Sequence, residues 1–418
     1  MILGKYSFGI GDRFEQQGNA QLKAIIQAQE HGIEVIPVWN KSNREHIIVQ
    51  SLPSDTRIEA DMAIKANGWK NNYFVDADHI NLETVDGYIK DCDYFTIDVA
   101  DYIGKSAQKA EIENFLKNNQ KFLGKILIPG IAEDLLITPD LLLNFANKFL
   151  FALKHAAIIY NFIAESKGVE NFITEISMDE VNDAQTPVEL LLILSALAEN
   201  IPLQTIAPKF SGEFYKGIDY VGNTDHFSLE FEKFILIIDY AIKKFGLPEN
   251  LKLSVHSGSD KFSIYPKINE IIHKYNKGIH VKTAGTTWLE EFAGLILSGE
   301  NGLEMARSIY SNASQRADEL CTPYASVINI DKTQLPTVSE IKTWPAEKFA
   351  NSIIHDKNNP DYNLNLRQFI HISYKIAAEY GKQFIDELKE NNKIINKLVM
   401  DNILEKHILP LFRAPSNI

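Results

Sequence analysis

Eight short apolar runs, each followed by a stretch with helical periodicity, constrain this chain more than any other feature. They are Tyr6–Gly11, Glu34–Asn40, Tyr73–Asp78, Tyr94–Ala100, Phe172–Ser177, Leu203–Pro208, Leu251–Ser257 and His280–Gly285. A short apolar run bounded by polar or turn residues reads as a buried strand, and strands alternating with helices build parallel sheets. Eight such units are the count of a closed (β/α)8 barrel of the TIM type, an α/β fold. A doubly wound open sheet is the alternative. It would carry a glycine-rich nucleotide turn, and Gly9-Ile10-Gly11 falls short of that fingerprint.

The segments between the runs support helices. Arg13–Gly32 carries Leu22, Ile25 and Ile26 and stops at His31-Gly32; Thr186-Pro187 supplies an N-cap and a first turn for the run to Asn200. Ile103–Gly168 is too long for a simple crossover and predicts a helical pair or small subdomain inserted in the barrel. Its most apolar part, Asp140–Ser166, is interrupted by Asn144, Lys148, Lys154 and His155, so it reads as a core helix, not a membrane span. The expected organisation is a catalytic barrel over residues 1–290 and a helical extension over 291–418 packed on it. Asp318–Lys332 is the one ambiguous piece beyond residue 290.

A formal net charge of −13 argues against nucleic acid or an anionic membrane as the main partner. An anionic ligand would need a local cluster of Lys or Arg. Two cysteines, Cys92 and Cys321, cannot build a disulfide framework or a thiolate zinc site, which suits a reducing cytosol. The opening apolar run is too short for a signal peptide. A cytoplasmic protein acting on a small molecule is the expectation; homo-oligomerisation stays open.

The polar residues fall where a barrel would use them. The run ends carry Asp12-Arg13, Asn40-Lys41, Asp76/Asp78/His79, Asp98/Asp101, Asp179-Glu180, Lys209, His256/Ser257/Asp260/Lys261 and Lys282/Thr283. In a barrel these ends converge on one rim, where active sites of that fold are built. Three histidines qualify as metal ligands by position: His79, His226 and His256. The plainer reading of each is a hydrogen-bonded loop histidine, and no HxH or HExxH pair supports the metal. Asp78 and the Asp179-Glu180 pair could move protons on either side of a substrate, although an acid before a helix is often only a cap. Lys209, Lys261 and Lys282, with Arg13 nearby, suggest a carboxylate or phosphate site, although any single lysine more often serves the surface. Lys209 or Lys282 could instead form a Schiff base, as in an aldolase.

Six segments together carry a resemblance: "KYSFGIGDRF", "PVWNKSNREH", "YFVDADHI", "FTIDVAD", "TIAPKFSG…KGIDYVG" and "GLPENLKLSVHSGSDKFSIYP". They resemble the tagaturonate epimerase family, the hexuronate C4-epimerases, from about Lys5 to Trp288. The resemblance implies a cytoplasmic, metal-dependent barrel enzyme that interconverts D-tagaturonate and D-fructuronate in hexuronate catabolism. It implies a divalent cation (Mn, Fe, Co, Ni or Zn) held by His79, His226 and His256. It further implies Asp78 as one acid/base group and an acid of "MDE", Glu180 in preference to Asp179, as the other. Substrate contacts are expected from Lys209, Ser257, Lys261, Lys282, Arg13 and Asn40. A metal-dependent aldolase or sugar isomerase on the same barrel, and a non-catalytic sugar-acid binding protein, are the competing readings.

Overall fold

The computed structural model describes residues 1–283 and 285–415. Its strands, in chain order, are β1 (Tyr6–Ile10), β2 (Ile36–Ser42), β3 (Phe74–Ile80), β4 (Tyr94–Asp98), β5 (Gly124–Ile126), β6 (Leu135–Ile137), β7 (Ile173–Ser177), β8 (Thr205–Ala207), β9 (Lys252–His256) and β10 (Ile279–Lys282). All except β5 and β6 close into one parallel barrel, ordered β1-β2-β3-β4-β7-β8-β9-β10 and back to β1. Each of the eight apolar runs therefore became a barrel strand, in sequence order. The (β/α)8 expectation holds.

Side chains alternate along a strand, so every second residue faces the barrel interior. Val38, Phe74, Tyr94 and Ile173, with Leu3, form an apolar cluster there. Two residues further along the same strands come Asn40, Asp76, Thr96 and Glu175, set side by side by the registers Asn40↔Asp76 and Thr96↔Glu175. The interior thus changes from apolar to ionisable over one step of the pleat, toward the C-terminal mouth. Gly9 makes room for this layer. A Cβ on it would lie 2.5 Å from Asn40 Nδ2 and 3.0 Å from Lys282 Cα.

The insertion, expected as a helical pair or small subdomain, holds two helices and a short hairpin. A helix over Lys109–Asn118 leads into the antiparallel hairpin β5–β6, and then into the 29-residue helix Pro139–Lys167. Strands of three residues are too short to leave a periodic signal, so the hairpin was not legible. The long helix starts at Thr138, whose hydroxyl accepts the Leu141 amide at 3.2 Å, with Pro139 in the first turn. It is long and apolar enough to cross a bilayer by composition alone, but Phe149, Ala152, Ala156, Ile159 and Ile163 are buried against the barrel side. It is a core helix, as its interrupting Lys and Asn residues suggested.

Beyond Lys282 the described chain is helical, with no further strand. Helix Gly285–Leu297 spans residue 290 and is buried almost throughout, with Trp288, Leu289 and Phe292 fully enclosed. It packs against Asn392–Asp401 of the C-terminal region, which also packs against the barrel-side helix Gly18–Glu30. The ambiguous segment forms a short helix (Ala317–Cys321) and a 3-10 turn (Thr322–Tyr324). A buried ionic knot ties this region to the loop after β9. Asp260 accepts from Arg367 at 2.5 Å, Thr286 at 3.0 Å and His355 at 3.0 Å, all buried.

Candidate active site

The stretch Asp78-His79 ends β3 with an irregularity. Ala77 pairs with Phe95 and Ile80 with Ile97, so β3 spends one residue more than β4 over the same span. That is a β-bulge, a device that re-aims side chains. His79 takes φ = 53°, left-handed backbone that a non-glycine residue adopts only at a cost near 1–2 kcal/mol. Consecutive strand residues should face opposite ways. The bulge instead lets Asp78 and His79 both serve the mouth of the barrel.

His79 Nδ1 lies 3.0 Å from Asp98 Oδ2. On β9, His256 Nε2 lies 2.8 Å from Glu175 Oε1, and its Nδ1 is 3.2 Å from Asp179 Oδ2 without an aligned hydrogen bond. The two imidazole rings are 5.2 Å apart, centre to centre. In each ring one nitrogen faces a carboxylate, which would keep the proton there when a cation takes the other nitrogen as a lone-pair donor. Those donors, His79 Nε2 and His256 Nδ1, belong to side chains that converge with Asp179: ligand atoms of the three lie within 4.8 Å of one another. A second set, His79, Asp98 and Glu180, meets the same distance and shares His79. Imidazole plus carboxylate, with carboxylates behind the imidazoles, is a donor set that suits a borderline divalent cation.

Lys282, on β10, sits beneath this group. Its ammonium donates to Asp76 Oδ2 at 2.7 Å and Asp78 Oδ1 at 2.9 Å, and lies 3.0 Å from Glu175 Oε1. It also donates to Thr96 Oγ1, whose hydroxyl lies 3.0 Å from both Asp76 oxygens. Burial disfavours the Lys282 charge, but Asp76, Asp78 and Glu175 outweigh it and raise its pKa well above the ordinary value. A Schiff base would need a lowered lysine pKa, and this environment raises it instead. The same field acts on the imidazoles. Burial lowers the His256 pKa, but Asp179 and Glu175 reverse this and raise it to about 9. Burial also opposes the His79 charge, but Asp78, Asp98 and Asp179 raise that pKa well above its ordinary value. Burial raises the Asp76 carboxyl to about 7 against the pull of Lys282. Asp78 stays below the ordinary carboxylate range, because Lys282, His79 and His256 together overcome its burial. The mouth therefore carries excess negative charge that positive groups are drawn into.

The expected residues divide into two sets. Asp78, His79, Asp179, His256 and Lys282 come together. Glu180 is exposed on the rim, beside the cavity of about 370 Å³ that Asp98, Lys148 and Asn182 also line. Asn40 is buried next to Asp76, and its Nδ2 has no hydrogen-bond partner among the described residues. His226 is a correction. It is exposed in the first turn of helix Thr224–Phe245, with its amide bonded to the Asn223 cap at 2.9 Å, and it joins no ligand group among the described residues. Asp179 stands where the third imidazole was expected. Lys261 is a second correction: fully buried, it donates to the carbonyls of Ile218 at 2.8 Å and Tyr215 at 3.1 Å and to Ser259 at 3.0 Å, so it staples loops. Ser257 donates to the Lys282 carbonyl at 2.7 Å and is likewise structural. Arg13 pairs with Glu45 at 3.1 Å and stacks over Tyr374. Lys209 is half-buried, its amide bonded to Gln185 Oε1 at 2.7 Å.

Sequence reasoning missed Glu175 and Thr96, which no strand end announces. The signal was parity: a glutamate in the middle of the apolar run "FITEIS", in step with Ile173, has to face the interior.

A closed parallel barrel whose C-terminal mouth gathers imidazoles, carboxylates and a lysine defines an enzyme of the TIM-barrel class, working on a small molecule. The chain belongs to the tagaturonate epimerase family, whose model matches residues 2–411, and is thus an epimerase of the isomerase class. It is 26% identical over 420 residues to the tagaturonate/fructuronate epimerase of Thermotoga maritima, an alignment covering 96% of this chain and 80% of that one. Two glycerol-bound crystal structures of the fructuronate-tagaturonate epimerase of Cohnella laeviribosi share its fold, with TM-scores of 0.80 and 0.81 at 22% and 21% identity. Each covers 98% of this chain and 82% of the other.

Proposed function

We propose that the protein interconverts D-tagaturonate and D-fructuronate by inverting C4, with a divalent cation held by His79, His256 and Asp179. One observation carries the cation: two imidazoles, each oriented by its own carboxylate, meet a third carboxylate within 4.8 Å inside an acidic mouth. A cation bound there supplies a Lewis acid for the C2 carbonyl and for the charge that develops beside it.

The C4 proton of a 2-keto hexuronate is not α to the carbonyl, so one enolisation cannot invert it. Opening the C3–C4 bond can. Asp78, anionic and held 2.9 Å from Lys282, takes the proton from the C4 hydroxyl. The C3–C4 electron pair moves to the C2 carbonyl, giving an enediolate and an aldehyde at C4. Lys282 places a fixed positive charge beneath that enediolate. The aldehyde rotates, C3 adds to its other face, and the C4 oxygen takes a proton from Glu180 on the rim. The two acids exchange roles in the reverse direction. Asn40 Nδ2, buried and without a partner among the described residues, can donate to a substrate hydroxyl.

NMR of D-tagaturonate with the Mn²⁺-, Ni²⁺- or Zn²⁺-loaded protein in D₂O tests this reading. The expected product is fructuronate with hydrogen, not deuterium, retained at C4. Obligatory deuterium at C4 would replace bond opening with proton exchange, and a released three-carbon aldehyde acid would make the protein an aldolase.

A further inference from the structure

We infer that Lys216 and Arg44, with Arg13 beside them, form the subsite for the substrate carboxylate, placed under a pair of tyrosines from the C-terminal region. The inference rests on the sugar-acid reading above and extends it to Lys216 and Arg44, which are not among the run-end residues named above. Lys216 lies in the loop after β8, half-buried, and its backbone is fixed by an amide bond to the Val327 carbonyl at 2.8 Å. Its ammonium lies 6.0 Å from the centre of the Tyr324 ring, and the Arg44 guanidinium lies 5.3 Å from the same ring. Arg13 covers Tyr374 at 4.5 Å, and the two tyrosine hydroxyls meet at 2.9 Å. Three cations therefore surround one tyrosine pair.

Their counter-charges do not balance. Arg13 has Glu45 at 3.1 Å. The side chains of Lys216 and Arg44 make no hydrogen bond and no ion pair among the described residues. A partly desolvated cation without a partner is costly, and a bound anion removes the cost. Burial pulls the Lys216 pKa down, with Glu180 and Glu45 opposing and Arg44 and Arg13 adding to the fall. The register Ser42↔Asp78 sets the end of β2, two residues before Arg44, beside Asp78, and Glu45 pairs with Arg13 at 3.1 Å, so the cationic patch adjoins the proposed metal centre.

The chemistry of the substrate matches that layout. A 2-keto hexuronate presents a keto group at C2 and a carboxylate at C6. One end needs a cation that polarises oxygen; the other needs fixed positive side chains, with a guanidinium fork suited to a carboxylate. The acidic mouth at His79 and His256 repels a carboxylate, and the patch at Lys216 and Arg44 attracts it. Bound in that sense, the substrate has one orientation. During bond opening the carboxylate end is the aldehyde fragment, which the patch would retain while it turns.

The test compares D-tagaturonate with D-tagatose, which carries CH₂OH in place of the carboxylate, in the wild type, K216M, K216R and R44Q. The expected result is a fall of tenfold or more in the ratio of kcat/KM for the acid to that for the neutral sugar in K216M and R44Q. The change should appear mainly in KM, with K216R recovering most of it. Arg44 is exposed, so R44Q reports even where K216M fails to fold. An unchanged ratio in the folded variants overturns the subsite. If the wild type does not turn over tagaturonate, the functional reading falls, and calorimetry on the Mn²⁺-loaded protein judges the subsite separately. A tagaturonate preference in the wild type that narrows in the variants upholds it; no preference, or one that K216M and R44Q leave intact, overturns it.

Discussion

His79 holds its left-handed backbone because the bulge in β3 requires it, and the strain is independent of its ring. Replacing the ring with a methyl group keeps the strain, whereas glycine removes it. H79G should therefore be more stable than H79A by about 1 kcal/mol in chemical denaturation of the metal-free protein. Both variants should lose the metal. H256A should lose bound metal and turnover together, while H226A, altered at an exposed helix turn, should keep both when metal content is measured by mass spectrometry. E180Q separates proton transfer from binding: metal content and KM should hold while kcat falls by roughly 10²–10⁴-fold. Unchanged turnover in E180Q would move the acid to another group. The error over His226 is instructive at this scale. Position after a strand makes His226 a rim candidate, yet Asn223 accepts from both the Asp225 and His226 amides at 2.9 Å, which makes the segment a helix start. Its asparagine was the available signal.

At the scale of elements, the barrel strands carried their own signature, because apolar runs buried on both sides leave a continuous pattern. What did not show was which polar residues shared the interior layer, since that depends on register between strands far apart in sequence. Asp76 from β3, Thr96 from β4, Glu175 from β7 and Lys282 from β10 meet only after closure. Lys282 is held by the buried Asp76 and Glu175 and the partly buried Asp78. K282M should cost about 3–5 kcal/mol in denaturant unfolding, because breaking a buried pair from one side leaves unpaired charge behind. G9A tests the same layer sterically. The added methyl meets Asn40 Nδ2 at 2.5 Å and the Lys282 backbone at 3.0 Å, so turnover should fall even where the protein still folds. The β5–β6 hairpin shows the opposite limit: three residues per strand give periodicity nothing to act on.

Across the whole molecule, the C-terminal helices complete the barrel wall. Helix Gly285–Leu297 is buried, and Arg367, His355 and Asp260 join the extension to the loop that follows His256. A chain ended after residue 297 should expose this apolar surface and fail to give a cooperative unfolding transition. The interior also predicts a pH response. Burial lowers the His280 pKa to about 3, although Glu175 opposes it, and Ser7 holds its Nδ1 at 2.9 Å. Below about pH 6.5 the unfolded chain takes up a proton that the folded chain refuses, so this contribution to stability is full above pH 6.5 and declines toward pH 3. The slope is about 1.4 kcal/mol per pH unit for this one group. H280Q should flatten the fall in stability between pH 6.5 and 4 by roughly that amount. An identical slope in the variant would assign the acid sensitivity elsewhere.

Turnover of D-tagaturonate by the chelator-stripped protein, measured by NMR as one metal equivalent is restored, bears most directly on the central claim. The account predicts no fructuronate without metal, activity rising to a plateau at one ion per chain, and no restoration in H256A. Equal rates in the stripped and reloaded wild type would contradict it.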